Sequence, residues 1–334
     1  MKNYPLSKTC RSLNFFETLR VYLNYIILVK LTEKLSFPIN IAGLKFVKNI
    51  LSDLKTDRQP LAIYQDRWGK YYIAKQVNNE VLSLENYWFR NEIEACRIIS
   101  NAYEKNKKQL KTKFPRVNVP KFIGVIEDNK RIILFTEMVG GHSLKNMEPK
   151  IRMKALEEAM KFMRYLSGKI SSSNKGKIAK RTRGYFIITM PLIFMLAIFR
   201  SPSRIVQIFK AGLRFIINTR FLVRSKEYSI THRDLNHKNI LLDKDGRLYL
   251  IDFELAAFTN SMTEVSKIAI GCWECDGSAK NINKSKIMRE IKANIERYRL
   301  YIAISTYDAI NEVVTSPDIF LKKRYDYLTY VNSL

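Results

Sequence analysis

The order of elements along this chain predicts an α+β fold in two lobes, a small mainly β lobe followed by a larger, mainly helical one. Three observations predict it. Short apolar runs of strand character fill residues 44–77 and 122–136, a single helical run separates them, and after Gly140-Gly141 the pattern from Lys150 to Tyr228 is almost wholly helical. The implied organisation is an N-terminal amphipathic extension over 1–40, a smaller lobe over 41–140 and a larger lobe over 141–334. A basic, apolar helical insert occupies about 170–226 of the larger lobe.

In the extension, Leu13, Phe16, Leu19, Leu23, Ile26 and Ile27 fall near helical spacing over 12–35, and Pro38 stands just beyond. Strands follow at Lys45 to Leu51, Leu61 to Gln65 and Tyr71 to Val77. The last two join through Asp66-Arg67-Trp68-Gly69-Lys70, a stretch with turn chemistry. Leu84 to Ala102 reads as a helix, and Phe122 to Glu127 pairs with Arg131 to Thr136 across Asp128-Asn129-Lys130. Ser171 to Lys177 is a low-complexity, solvated, flexible loop.

The net charge of +27 over 334 residues implies an anionic partner. Its distribution is uneven: from Ala159 to Lys226 there is no Asp or Glu, while fifteen Lys and Arg fall there. More than half of the excess is therefore local. Four scattered cysteines, Cys10, Cys96, Cys272 and Cys275, favour a reducing compartment. Cys272 and Cys275 form a C-x-x-C, with no second pair or nearby His to complete a tetrahedral zinc site. Glu17 and Arg20 interrupt the only early apolar run, so the N-terminus reads as retained rather than cleaved.

The chemistry concentrates in residues 231–254. Thr231-His232-Arg233-Asp234-Leu235-Asn236-His237-Lys238-Asn239 is similar to the H-R-D-x-x-x-x-N loop of kinases. Asp252 follows in Leu248-Tyr249-Leu250-Ile251-Asp252-Phe253-Glu254, past an Asp245-Gly246 turn. Phosphoryl transfer needs a carboxylate to orient the attacking hydroxyl and oxygen ligands for magnesium. Asp234 fits the first role, and Asn239 and Asp252 the second.

With these motifs the chain resembles the protein-kinase-like superfamily, and the resemblance implies ATP and Mg2+ as cofactors. Tyr72-Ile73-Ala74-Lys75 is similar to the strand whose lysine contacts ATP phosphates, and Glu92 to the helix position that pairs with it. Glu92 shares a helical face with Trp88, Cys96 and Ile99, whereas Glu94 lies with Arg90 and Arg97; Glu92 is the acid expected to face inward. Ile133 to Leu144 resembles the strand that runs into an interlobe hinge, which implies the Glu137 carbonyl and the Val139 amide as adenine contacts.

Departures from the pattern narrow it. No G-x-G-x-x-G precedes Tyr71, and Asp53 to Pro60 takes that place with Thr56 and Arg58 but no glycine. Glu254 stands where protein kinases carry Gly, no Ala-Pro-Glu follows, and position 236 is Asn rather than Lys. Asp234-Leu235-Asn236 with Asn239-Ile240-Leu241-Leu242-Asp243, followed by Tyr249 to Phe253, looks most like lipopolysaccharide sugar kinases of the Kdo type. Aminoglycoside and choline kinases share a looser version.

Within the insert, Tyr185 to Phe199 carries no charge, is broken by Pro191 and is flanked by Lys177, Lys180, Arg181, Arg183, Arg200 and Arg204. It is short for a membrane span. Ile205 to Val223 places Ile205, Ile208, Phe209, Gly212, Phe215, Ile216 and Thr219 along one side. An apolar face ringed by bases suits an anionic membrane surface, with core packing as the alternative and nucleic acid least favoured. The expected function is transfer of the ATP γ-phosphate to a hydroxyl of a small-molecule or glycolipid acceptor, in the cytoplasm at the inner face of the cell membrane. Its rivals are a nucleotide-binding pseudokinase scaffold and an atypical soluble protein kinase.

Overall fold

A computed structural model describes residues 37–50, 60–79, 84–276, 280–316 and 321–334. The helix expected over 12–35 and the substitute for the glycine loop at 53–59 lie outside them. The smaller lobe is an antiparallel sheet of six strands: β1 (Asn40–Ile41), β2 (Leu44–Ile50), β3 (Leu61–Gln65), β4 (Tyr71–Asn78), β6 (Phe122–Glu127) and β7 (Arg131–Glu137). Their order is β1-β2-β3-β4-β7-β6. Helix α1 (Leu84–Lys105) and the short α2 (Lys107–Lys113) follow β4, and then comes β5 (Val117–Asn118).

Strand alternation sorts β4 onto two faces. Tyr72 and Ala74 join Tyr64, Ile133 and Phe135 in a small core on one side, where Tyr64 meets Phe135 edge-on with ring centroids 5.5 Å apart. Val77 faces the other way, into the core that α1 enters with Phe89, Ile93 and Ile99. Lys75 shares the period of Val77, so it too points at α1.

The larger lobe begins after β8 (His142–Ser143) with α3 (Pro149–Gly168), α4 (Ser172–Lys175) and β9 (Lys180–Arg181). Helices α5 (Arg183–Arg200) and α6 (Ile205–Arg224) form the insert, and β10 (Tyr228–Thr231), β11 (Ile240–Leu242), β12 (Leu248–Leu250) and β13 (Ala257–Asn260) frame the catalytic-loop motif. Five helices close the lobe: α7 (Met262–Asp276), α8 (Lys280–Lys284), α9 (Lys286–Lys292), α10 (Ile295–Thr315) and α11 (Leu321–Ser333). Strand β5 pairs in parallel with β12, so a segment between α2 and β6 is stitched into the larger lobe. Helix α10 is buried along most of its length and is the axis against which α5, α6, α7 and α11 pack.

Three expectations change. Pro191 does not break its segment: α5 runs through it, because Met190, Ile193 and Ala197 are buried around it and the carbonyl it leaves without a donor belongs to Ile187, on the exposed side. Ser171 to Lys177 is not plain loop, since Ser171 Oγ caps the turn of α4 by accepting from the Asn174 amide at 3.4 Å. The residues of α6 named as one side divide between two. Ile208, Gly212 and Phe215 are buried, whereas Phe209 and Ile216 are exposed.

The link between lobes depends on Gly141, whose φ is +149° and where a Cβ would sit 2.8 Å from the Leu242 carbonyl oxygen. Gly140 has open space around it. Gly141→Ala should therefore cost about 1–3 kcal/mol in urea denaturation, with Gly140→Ala nearly neutral. Equal stabilities for the two variants would show that the close approach is relaxed at no cost.

Candidate active site

The strand period that turns Lys75 toward α1 brings it to Glu92, one helical turn ahead of Cys96 on the inward face. Lys75 Nζ donates to Glu92 Oε2 at 2.7 Å and to Asp252 Oδ1 at 3.0 Å, and lies 3.6 Å from Glu254 Oε2. One ammonium thus serves three carboxylates from α1 and from the turn after β12. Burial alone would depress Lys75, but Glu92, Asp252 and Glu254 together hold it well above the usual lysine range. Burial first, then Asp252 and Glu254, push Glu92 up to about 8 despite the lysine contact. The cluster carries more negative charge than one lysine balances.

Glu94 is buried as well, but its partner is Arg97 at 2.5 Å, while Arg90 turns away to Glu127. Glu137 ends β7, with its carboxylate 3.1 Å from Lys70, and Val139 lies half-buried in the link to β8. Both sit where the sheet hands the chain to the larger lobe, and no contact joins either to the Lys75 cluster among the described residues.

The loop between β10 and β11 is built around Asp234. Asn239 Nδ2 donates to Asp234 Oδ2 at 2.6 Å and to its carbonyl at 2.9 Å, and Asn236 Nδ2 donates to Oδ1 at 2.8 Å. Both carboxylate oxygens are therefore fixed. Burial, followed by the charges of Asp252 and Glu254, pushes Asp234 up to about 7. Asn239 spends its amide nitrogen on Asp234, which leaves its carbonyl oxygen as an acceptor.

Two residues of the site adopt positive φ without being glycine, Arg233 at 62° and Asp252 at 65°. Strain of this kind persists where surrounding contacts over-determine the backbone. Glu264 on α7 supplies such contacts, accepting from the His232 amide at 2.7 Å and the Arg233 amide at 3.3 Å. The His232 ring reaches the Ile251 carbonyl at 2.9 Å and packs on Phe253, which ties the loop to the turn that carries Asp252. Asn91, next to Glu92, donates to the carbonyls of Glu254 and Ala256 and accepts from the Ala179 amide.

Glu254, Asn91 and Glu264 had no assigned role in the sequence. The signal for Glu254 was present, since a carboxylate in place of Gly two residues after Asp252 adds a third acid to the cluster. For Asn91 and Glu264 there was none, because both act on backbone groups that spacing does not reveal. The C-x-x-C expectation also changes. His237 of the loop between β10 and β11 is brought to Cys275, its ring nitrogens 2.9 and 3.1 Å from Sγ. A His does stand nearby in space, although no metal-ligating group forms there among the described residues.

The donor set fits a hard divalent cation. The carboxylates of Glu92, Asp252 and Glu254 place ligand oxygens within 4.8 Å of one another, and the Asn239 backbone carbonyl accepts from the amide of Ile251, next to Asp252, at 3.1 Å. Oxygen ligands with excess negative charge favour magnesium over a thiolate- or imidazole-preferring metal.

No protein-family model matches the sequence, and no curated protein matches it. Solved structures do match in fold. Aminoglycoside phosphotransferase APH(4)-Ia, as a thermostable mutant in apo form, aligns over 86% of this chain and 92% of its own, with a TM-score of 0.59 and 12% identity. The same mutant enzyme in ternary complex with ADP and hygromycin B gives 0.56 at 12% identity, covering 87% of this chain and 91% of that one. Amicoumacin kinase hAmiN, in complex with AMP-PNP, Ca2+ and Ami, gives 0.51 at 12% identity over 87% and 88%. The chain therefore has the two-lobed, protein-kinase-like fold.

If Asp252 is a cation ligand, Asp252→Asn should weaken Mn2+ binding, followed by electron paramagnetic resonance, by at least tenfold. Unchanged Mn2+ affinity would move the cation away from this cluster.

Proposed function

We propose that this chain is an ATP-dependent phosphotransferase that moves the γ-phosphoryl group of ATP to a hydroxyl group, with magnesium as the companion ion. The observation that carries the reading is the fixed pair of Asp234 and Lys75: one carboxylate locked by Asn236 and Asn239, one ammonium locked among Glu92, Asp252 and Glu254. In this reading Lys75 binds phosphate oxygens and Glu92 keeps it in place. Asn239 and Asp252 offer oxygens to the ion, and the Glu137 carbonyl and Val139 amide meet adenine. Magnesium, when bound, offsets charge on the phosphates.

Asp234 orients the acceptor hydroxyl and takes its proton. The acceptor oxygen bonds to the γ-phosphorus as the bond to the bridging oxygen breaks, and ADP leaves. The nucleotides in the structures of similar fold support the donor, and hygromycin B in one of them supports a small-molecule acceptor. A small acceptor also agrees with the chain after Glu254, where only Leu255 and Ala256 precede β13 and no docking segment for a peptide intervenes. The finer reading is a lipid-linked sugar, akin to the core of lipopolysaccharide, met at the inner face of a membrane. It draws on the likeness of 234–253 to sugar kinases of that class and on the basic insert.

Labelled ATP offered separately with lipid, polar-metabolite and protein fractions tests it. Label is expected in lipid; label in the polar fraction would remove the lipid acceptor, label in protein alone would make this a protein kinase, and no transfer at all would leave a nucleotide-binding scaffold.

Asp234→Ala should lower turnover a hundredfold or more, about 2.7 kcal/mol in the barrier, while ATP binding persists. The pH dependence has a definite sign. The carboxylate is the working form and its pKa lies at about 7, so kcat/KM should fall about tenfold for each unit below 7. Saturating Mg2+ should move that limb to lower pH by offsetting the charge of Asp252. A profile flat from pH 5 to 8 would remove Asp234 as the base.

A further inference from the structure

The helices α5 and α6 lie side by side on α10, and only their inner faces are used. Phe186, Met190 and Ile193 of α5 and Ile208, Ala211 and Phe215 of α6 are buried. Thr189 Oγ1 lies 2.8 Å from the Tyr307 hydroxyl, which fixes α5 to α10. The outer faces are as apolar as the inner ones. On α6, Val206, Phe209, Leu213 and Ile216 form a stripe at i, i+3, i+7 and i+10, with Val206 76% and Ile216 70% exposed. On α5, Ile188, Met195 and Phe199 form another, with Phe199 78% exposed. Phe194 against Phe209, with ring centroids 5.2 Å apart, joins the two across the seam, where Gly212 makes room for Phe194. Scattered exposed apolar side chains are ordinary, but a continuous sheet of them over two helices is not.

The rim is basic. Lys210 falls between Val206, Leu213 and Ile217, Arg220 follows Ile216 by one turn, and Arg204 and Arg224 mark the two ends of α6. None of these four is paired with a carboxylate among the described residues, and the sequence supplies no acid anywhere from Ala159 to Lys226. A second protein or copy of this chain would need acids, or an apolar match that tolerates unpaired bases. An anionic lipid surface satisfies both parts at once, taking the stripe into the headgroup boundary and the bases against lipid phosphates.

We infer that the outer face of α5–α6 is a bilayer-docking surface, on which the hairpin lies flat. It does not span. Helix α5, with 18 residues and a mean hydropathy of 1.5, is the one described helix long and apolar enough to cross a membrane by length and composition. Crossing would strip Phe186, Thr189, Met190 and Ile193 from α10, whereas lying flat disturbs no packed residue. Ile193 is not among the residues set against lipid, because it is fully buried. Two residues before α5, Arg181 in β9 pairs beside Thr259 of β13, so the insert is tied to the strand that follows the Asp252 turn.

The inference deepens the lipid-acceptor reading and relies on it only for what docking would accomplish; vesicle binding is measured apart from phosphoryl transfer, so either can fail by itself. Flotation of the full chain with phosphatidylglycerol-containing vesicles tests it against pure phosphatidylcholine. Binding should rise with anionic lipid and weaken with salt, with a salt-resistant remainder. Val206→Ser with Phe209→Ser and Ile216→Ser should abolish the remainder, and Lys210→Gln with Arg220→Gln should reduce affinity about fivefold per residue. All five positions are exposed, so sedimentation and nucleotide binding should match the parent. A folded parent that ignores anionic vesicles overturns the inference, as does a dimer in sedimentation that the serine variant dissociates, because a second copy would then cover the face. Binding that survives both variants would equally overturn it.

Discussion

The site depends on one ammonium group shared by three carboxylates. Lys75 arrives from the sheet of the smaller lobe, Glu92 from α1, and Asp252 and Glu254 from the turn that follows β12 in the larger lobe. The Lys75–Glu92 pair is largely buried, whereas Asp252 and Glu254 remain partly exposed. Together they place three separate segments at one point, and their excess negative charge leaves the point hungry for cation. That excess also reaches Asp234, whose raised pKa follows from burial and then from Asp252 and Glu254. Structure and proton affinity in the loop thus trace to the same crowding.

Around this point both lobes supply restraint. Arg233 and Asp252 hold backbone angles that an ordinary residue avoids, and the compensations are specific: Glu264 on the loop's backbone amides, His232 on the Ile251 carbonyl, Asn91 on the carbonyls of Glu254 and Ala256. Helix α10 stands behind both the loop and the insert. Asp308, fully buried, adds its charge to the field at Arg233 and lies 3.8 Å from Lys267, while Tyr307 one residue earlier holds Thr189 of α5. A single helix therefore sets a buried carboxylate in the field of the loop's arginine and holds the exposed apolar hairpin.

The sequence is legible where one period or one turn chemistry decides the outcome. Strands at Leu61–Gln65 and Phe122–Glu127 fall where alternation places them, and helical period alone turned Glu92 inward. What escaped the sequence was settled by tertiary contact. Pro191 reads as a break until α10 supplies the packing that carries a helix through it, and the two apolar faces of α6 cannot be separated until α10 selects one. Asn91 and Glu264 bind backbone groups brought close only by folding. His237 meets Cys275 from 38 residues away, a distance at which no spacing rule operates.

In the proposed reaction the carboxylate cage holds Lys75 ready for the phosphates of ATP. An acyl-phosphate derivative of ATP, which acylates a lysine lying against its phosphate chain, tests that most directly when read by peptide mass spectrometry. Lys75 is expected to be the principal modified lysine, and excess Mg-ATP to protect it. Label spread over surface lysines and indifferent to Mg-ATP would contradict it.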